Sequence, residues 1–269
     1  MKKNPTSLLL FLLVALMALS ACGLLQEPEA ASSTIEAIPL ETQATGVATS
    51  EPATTEAAEA TTTPAEATVA PEATAETPTE APTEASAAPA GTALVFTIDS
   101  AASQVRFQLD EELRGQPTTV VGTTDQVAGQ LSVNLADLSQ TQVGIIQINA
   151  RTLATDNNFR NRAIQNEILD TGSFEFITFT PTGIEGLPAS ATVGEAISFN
   201  LVGDLTIRDI TLPATFTVEA TAVSETQIVG AATAVVNRTD FGLQIPSVPN
   251  VANVEEQVEL YIDFTANAS

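Results

Sequence analysis

The side chains that usually carry chemistry are scarce in this 269-residue chain. It has no histidine, which removes the commonest general base and the commonest transition-metal ligand. Its one cysteine is Cys22, so no disulfide closes within the chain and thiolate metal clusters lack a ligand set. Acids are plentiful, 33 Asp and Glu against 9 Lys and Arg for a net charge of −24. Paired carboxylates can cleave glycosidic bonds, but no pair stands apart from the others. Asp110, Glu111 and Glu112 are consecutive rather than alternating, and read as a solvated turn rather than a Ca²⁺ loop. No glycine-rich phosphate loop is present. Catalysis is therefore not expected. Arg160 and Arg238 remain, each either a structural ion-pair partner or a contact for a ligand's polar head.

Cys22 has chemistry of another kind. Lys2 and Lys3 precede an apolar run of 12 residues, Leu8 to Leu19. Such a run fits a signal-peptide core and is short for a spanning helix. Leu19-Ser20-Ala21-Cys22 closes it and resembles the lipobox, where bacterial lipoproteins are cut and acylated. Residues 1–21 are thus expected to be a signal peptide. Cys22 is expected to anchor an exported protein on the extracytoplasmic side of the bacterial envelope membrane, where two or more acyl chains hold stably.

Residues 22–91 carry Ala, Thr, Pro and Glu with near-repeats such as Pro78-Thr79-Glu80-Ala81 and Pro82-Thr83-Glu84-Ala85. Twelve glutamates and no basic residue lie between Cys22 and Thr92. This composition does not bury enough apolar area to offset the entropy of ordering. The expectation is a disordered stalk, reaching ~45 Å as a coil and up to ~200 Å when extended.

Residues 92–269 suit one folded domain, with 21 acidic and 7 basic residues. A surface this acidic argues against nucleic acid and against anionic lipid heads. Alternation recurs at Val105-Phe107-Leu109, Leu131-Val133, Phe199-Leu201-Gly203-Leu205, Ala214-Phe216-Val218 and Val258-Leu260-Ile262-Phe264, which predicts an antiparallel sandwich or barrel. One helix is predicted, with Asp156 as N-cap, Phe159, Ala163, Ile164 and Ile168 on one face, and an end near Thr171-Gly172. Residues 183–194 and 244–256 read as long loops.

Four stretches then carry a family resemblance. They are Phe96-x-Ile98-Asp99 with Ser103-x-Val105-x-Phe107; Thr155 to Ile164 with Asn157 and Arg160; Gly203-x-Leu205-Thr206-Ile207-x-x-Ile210-Thr211-x-Pro213; and Arg238-x-Asp240-Phe241-Gly242. In order and spacing they resemble the YceI family of polyisoprenoid-binding, lipocalin-like barrels, over about residues 93–266. Asn161 stands where that family usually carries Asp, Asp209 where Gly is common, Leu212 where Lys is common, and Glu175 where Pro is usual.

The resemblance implies an all-β, antiparallel lipocalin-like β-barrel of about eight strands with one short helix at a mouth. It implies no cofactor. It implies a long-chain apolar lipid as partner, an isoprenoid or isoprenoid quinone. Phe107, Leu109, Ile177, Phe179, Phe199, Leu201, Phe216, Leu260 and Ile262 lie on the apolar sides of their strands and are the expected barrel lining. An eight-stranded barrel is either filled by its own side chains or wide enough for one slender ligand, so a filled interaction module is the alternative.

Overall fold

The computed structural model describes residues 26–40 and 91–269; the leader, Cys22 and residues 41–90 lie outside the described residues. The strands are β1 (Leu94–Ile98), β2 (Gln104–Leu113), β3 (Gln116–Thr124), β4 (Val127–Ala128), β5 (Gln130–Val133), β6 (Gln142–Val143), β7 (Ile146–Asn149), β8 (Phe176–Glu185), β9 (Ala196–Ile207), β10 (Ile210–Ser224), β11 (Gln227–Asn237), β12 (Val251–Ala252) and β13 (Gln257–Ala268). Among residues 91–269 one α-helix, α1 (Asn158–Ala163), runs on into a π-helical turn at Ile164–Ile168.

Every strand pairing in the sheet is antiparallel. β7, β8, β9, β10, β11 and β13 follow one another in space. β13 then pairs with both β2 and β1, at different parts of its length. β3, β4 and β5 are separated by two residues and one residue, and behave as one long bent strand. Its first part pairs with β2, its middle with β7 and its last part with β1. The sheet thus curls back on itself. With β1 and β2 taken together, the ring among the described residues has the eight members that the sequence predicts.

The β9–β10 hairpin shows how sequence sets this geometry. Leu201, Gly203, Leu205 and Ile207 are buried, and the residues between them are not. Gly203 sits opposite Pro181, and a Cβ there would meet the Phe179 ring and the Thr180 carbonyl. Pro213 lies within β10 opposite Asp204, where β10 has β9 on one side and has not yet met β11, whose pairing starts at Thr217. That local edge is where a strand tolerates a missing N–H.

The helix begins one residue later than the sequence indicates. Asn157, not Asp156, is the N-cap, and its side chain accepts from the N–H groups of Phe159 and Arg160. It also ends earlier, at Ile168. The acidic triplet Asp110-Glu111-Glu112 is a second correction. It is not a turn but part of β2. Asp110 accepts from Thr119, and Glu112 from Asn253.

Candidate functional site

Half of the ring is solid. Phe179 and Phe216 meet edge to face with centroids 4.9 Å apart, a geometry that adds to their burial. Leu201, Leu205, Val218, Ile146, Val127 and Phe96 belong to the same buried cluster. The other half is hollow. A cavity of about 320 Å³ lies between the inner faces of β2 and β13, the apolar face of α1 and the loop after β11. That volume falls at the small end of the range for ligand sites.

The cavity is built by alternation. Phe107, Leu109, Glu111 and Leu113 are every second residue of β2, and all four line it. Val258 and Leu260 line it from β13, and Ala163, Ile164 and Ile168 from α1 and its π turn. Ile245, Pro246, Val248 and Pro249 form a roof. Gly122 stands opposite Phe107, and the Phe107 ring occupies the space a Cβ would need. Phe159 and Pro249 line the cavity and are also exposed, Phe159 to 66%. They mark its opening.

Among the described residues, 27 line the cavity, and Glu111, Asn157, Arg160 and Arg238 are the polar ones. Glu111 is buried on an otherwise apolar strand face and pairs with Arg160 at 2.9 Å. Arg160 also bonds Asp156 at 2.6 Å. Asn161 takes no part in this pair. Its Oδ1 accepts from the N–H and hydroxyl of Thr155, both at 2.7 Å, and so fixes the entry to α1. Arg238 donates to three main-chain carbonyls, Glu255 at 2.9 Å, Leu243 at 3.0 Å and Val254 at 3.3 Å. It pins both ends of the roof loop. Arg160 is thus an ion-pair partner at the cavity wall, whereas Arg238, which also lines the cavity, is tied to main-chain carbonyls rather than to a carboxylate.

Of the nine residues expected to line the barrel, the cavity takes Phe107, Leu109, Ile177 and Leu260. Phe179, Leu201 and Phe216 are buried in the core, and Phe199 and Ile262 pack against it without lining the cavity. Period 2 identifies an inward face but does not say how far across the ring the facing side chains reach. The helix face was legible at helical spacing. The roof was not, because residues 244–256 read as a loop.

The family model described as YceI-like domain matches residues 96–266. The chain belongs to this family. No curated protein matches it. Among solved structures, it resembles a polyisoprenoid binding domain from Saccharophagus degradans implicated in plant cell wall breakdown. The two are 15% identical, with 65% of this chain and 99% of that one covered and a TM-score of 0.52. It also resembles BcnA of Burkholderia cenocepacia, 18% identical, with coverages of 63% and 99% and a TM-score of 0.50. At such identities the likeness is one of fold.

Residues 26–40 lie outside the matched YceI-like domain and contact it. Glu27 pairs with Arg162 at 3.3 Å and the Gln26 carbonyl accepts from Asn166. Glu29 pairs with Arg151 at 2.8 Å, and the Ala30 carbonyl accepts from the same guanidinium. The Ser32 N–H donates to Glu175, and the Leu40 N–H to Gln130. Ile35 is buried. Composition hid this because most of the contacts are made by main-chain groups and by single carboxylates, which an Ala/Thr/Pro/Glu-rich segment offers throughout its length.

Arg151 and Glu175 organise the docking. Arg151 bonds the carbonyls of Thr171 and Gly172, pairs with Glu175 at 3.2 Å and still reaches Glu29. Burial alone would raise the Glu175 carboxyl. The Ser32 N–H and hydroxyl, the Asn149 amide and Arg151 together outweigh burial and hold it below the usual carboxylate value. Glu175 is the position where the resemblance leads one to expect proline, so this departure now has a structural account.

Proposed function

We propose that this YceI-like domain binds or sequesters a long apolar, isoprenoid-like lipid without catalysis, as the barrel of a cell-envelope lipoprotein anchored through acyl chains on Cys22. The observation that carries the reading is the one-sided cavity, walled by aliphatic and phenylalanine side chains and open between Phe159 and Pro249. With no Trp in the chain and its single Tyr away from the lining, such walls suit a featureless hydrocarbon better than an aromatic or strongly polar ligand. The name of the Saccharophagus relative points the same way. Glu111, Arg160 and Arg238 at the wall offer a polar end group its charged contacts. Lipid extraction from natively purified protein, followed by mass spectrometry, tests this. Recovery of a long isoprenoid lipid in stoichiometric amount is expected. Protein that is free of lipid and takes none up from vesicles would instead favour a domain that works through its outer surface.

A further inference from the structure

The docked segment changes what the anchor would do. Only Gly23, Leu24 and Leu25 separate Cys22 from Gln26. Four residue steps span at most about 14 Å. Gln26 and Glu27 contact Asn166 and Arg162, on the outer side of the helix that forms one wall of the cavity. Arg162 is one helical turn on from Phe159, which marks the opening. In chain order, residues 41–90 come after these contacts rather than between Cys22 and Gln26. The Leu40 N–H donates to Gln130, and the Gly91 carbonyl accepts from Asn134 at 2.6 Å.

We propose that residues 26–40 are a strap that holds the cavity mouth against the membrane carrying the Cys22 acyl chains, so that an apolar lipid moves between bilayer and cavity without crossing water. This rests on acylation at Cys22, as proposed above. A lipid surface is the occupant because the chain leading away from the mouth ends, within that short reach, on the residue that would carry the acyl chains. The exposed Phe159 at the rim presents an apolar side chain to it. The acidic domain selects a neutral or zwitterionic surface over an anionic one.

Energy transfer in the mature, acylated protein reconstituted in phosphatidylcholine vesicles tests the orientation, since Cys22 is then blocked and one new thiol can be labelled. Asn158→Cys places a donor at the mouth, and Glu225→Cys places one in the exposed β10–β11 turn. Ile210 and Ser224 bound β10, and its fourteen steps run roughly 45 Å along the strand. With acceptor on the lipid heads, transfer is expected to be high from position 158 and low from 225. Inserting about forty Gly/Ser residues between Gly23 and Gln26, roughly 35 Å of coil, is expected to cause loss of transfer from 158. The same insertion within residues 41–90 leaves it unchanged. Ile35→Asp, which undocks the strap, acts like the first insertion. Equal transfer from both labels, or equal effects of the two insertions, would overturn the strap while leaving the anchor standing. If Cys22→Ser protein stays on the vesicles after a high-salt wash, the anchor reading fails first and the orientation falls with it.

Discussion

A carboxylate on an apolar strand face must be compensated. Glu111 is that residue, and Arg160 is its partner at 2.9 Å. Removing one member of a buried pair leaves an uncompensated charge, which costs about 3–5 kcal/mol. Arg160→Met is therefore expected to lower stability by roughly 3 kcal/mol, and Arg160→Met with Glu111→Leu to recover most of it. Chemical denaturation of both variants checks this. A double variant no more stable than the single would show that the pair does not carry the effect. Glu175 supplies a pH-dependent term. Its folded carboxyl binds a proton less readily than the unfolded one, so its contribution is complete above the ordinary value near 4.5 and fades as the pH falls through the lower, folded value. The melting difference between wild type and Glu175→Gln is expected to be largest at neutral pH and to shrink as the pH falls below the ordinary carboxylate value. A difference that is constant with pH would contradict the proposed hydrogen-bonding of Ser32 to the charged form.

At the scale of elements, the hairpin β9–β10 and strand β13 were legible because period 2 runs through most of their length. The mouth helix was legible from Phe159, Ala163, Ile164 and Ile168. Two elements were not. The roof loop lacks any period, and its place over the cavity comes from Arg238 reaching carbonyls from Leu243 to Glu255. The strap carries one fully buried apolar residue, Ile35, with Ile38 and Leu40 partly buried, and its polar docking partners Arg151, Arg162 and Glu175 are far away in sequence. The two parts of the segment before the domain should therefore behave differently. Deleting residues 45–86 is expected to leave the melting temperature nearly unchanged, because their Ala/Thr/Pro/Glu composition gives no apolar face to bury and closure entropy varies only logarithmically with the length of a connection. Ile35→Asp forfeits about 2 kcal/mol of apolar burial, a drop of roughly 4–8 °C for a domain of this size. Equal melting of wild type and Ile35→Asp would show that the strap adds nothing to the fold.

The YceI-like domain is a ring of strands with a filled core and a cavity to one side. Sequence showed which side chains point inward, but not that Leu201 and Leu260, both expected to line the barrel, belong to different halves. Leu201 is 8% exposed within the buried cluster, whereas Leu260 faces the cavity. Overpacking a filled site typically costs about 1–3 kcal/mol, while a void accepts a larger ring with little strain. Leu201→Trp is accordingly expected to destabilise the domain without reporting on the ligand. Leu260→Trp is the informative substitution. The deciding measurement is the amount of lipid recovered by mass spectrometry from natively purified Leu260→Trp protein and from wild type, with melting temperatures recorded for both. The account predicts a long isoprenoid lipid on the wild type, its loss from the variant, and unchanged melting. Marked destabilisation of Leu260→Trp, together with no lipid on the wild type, would contradict it.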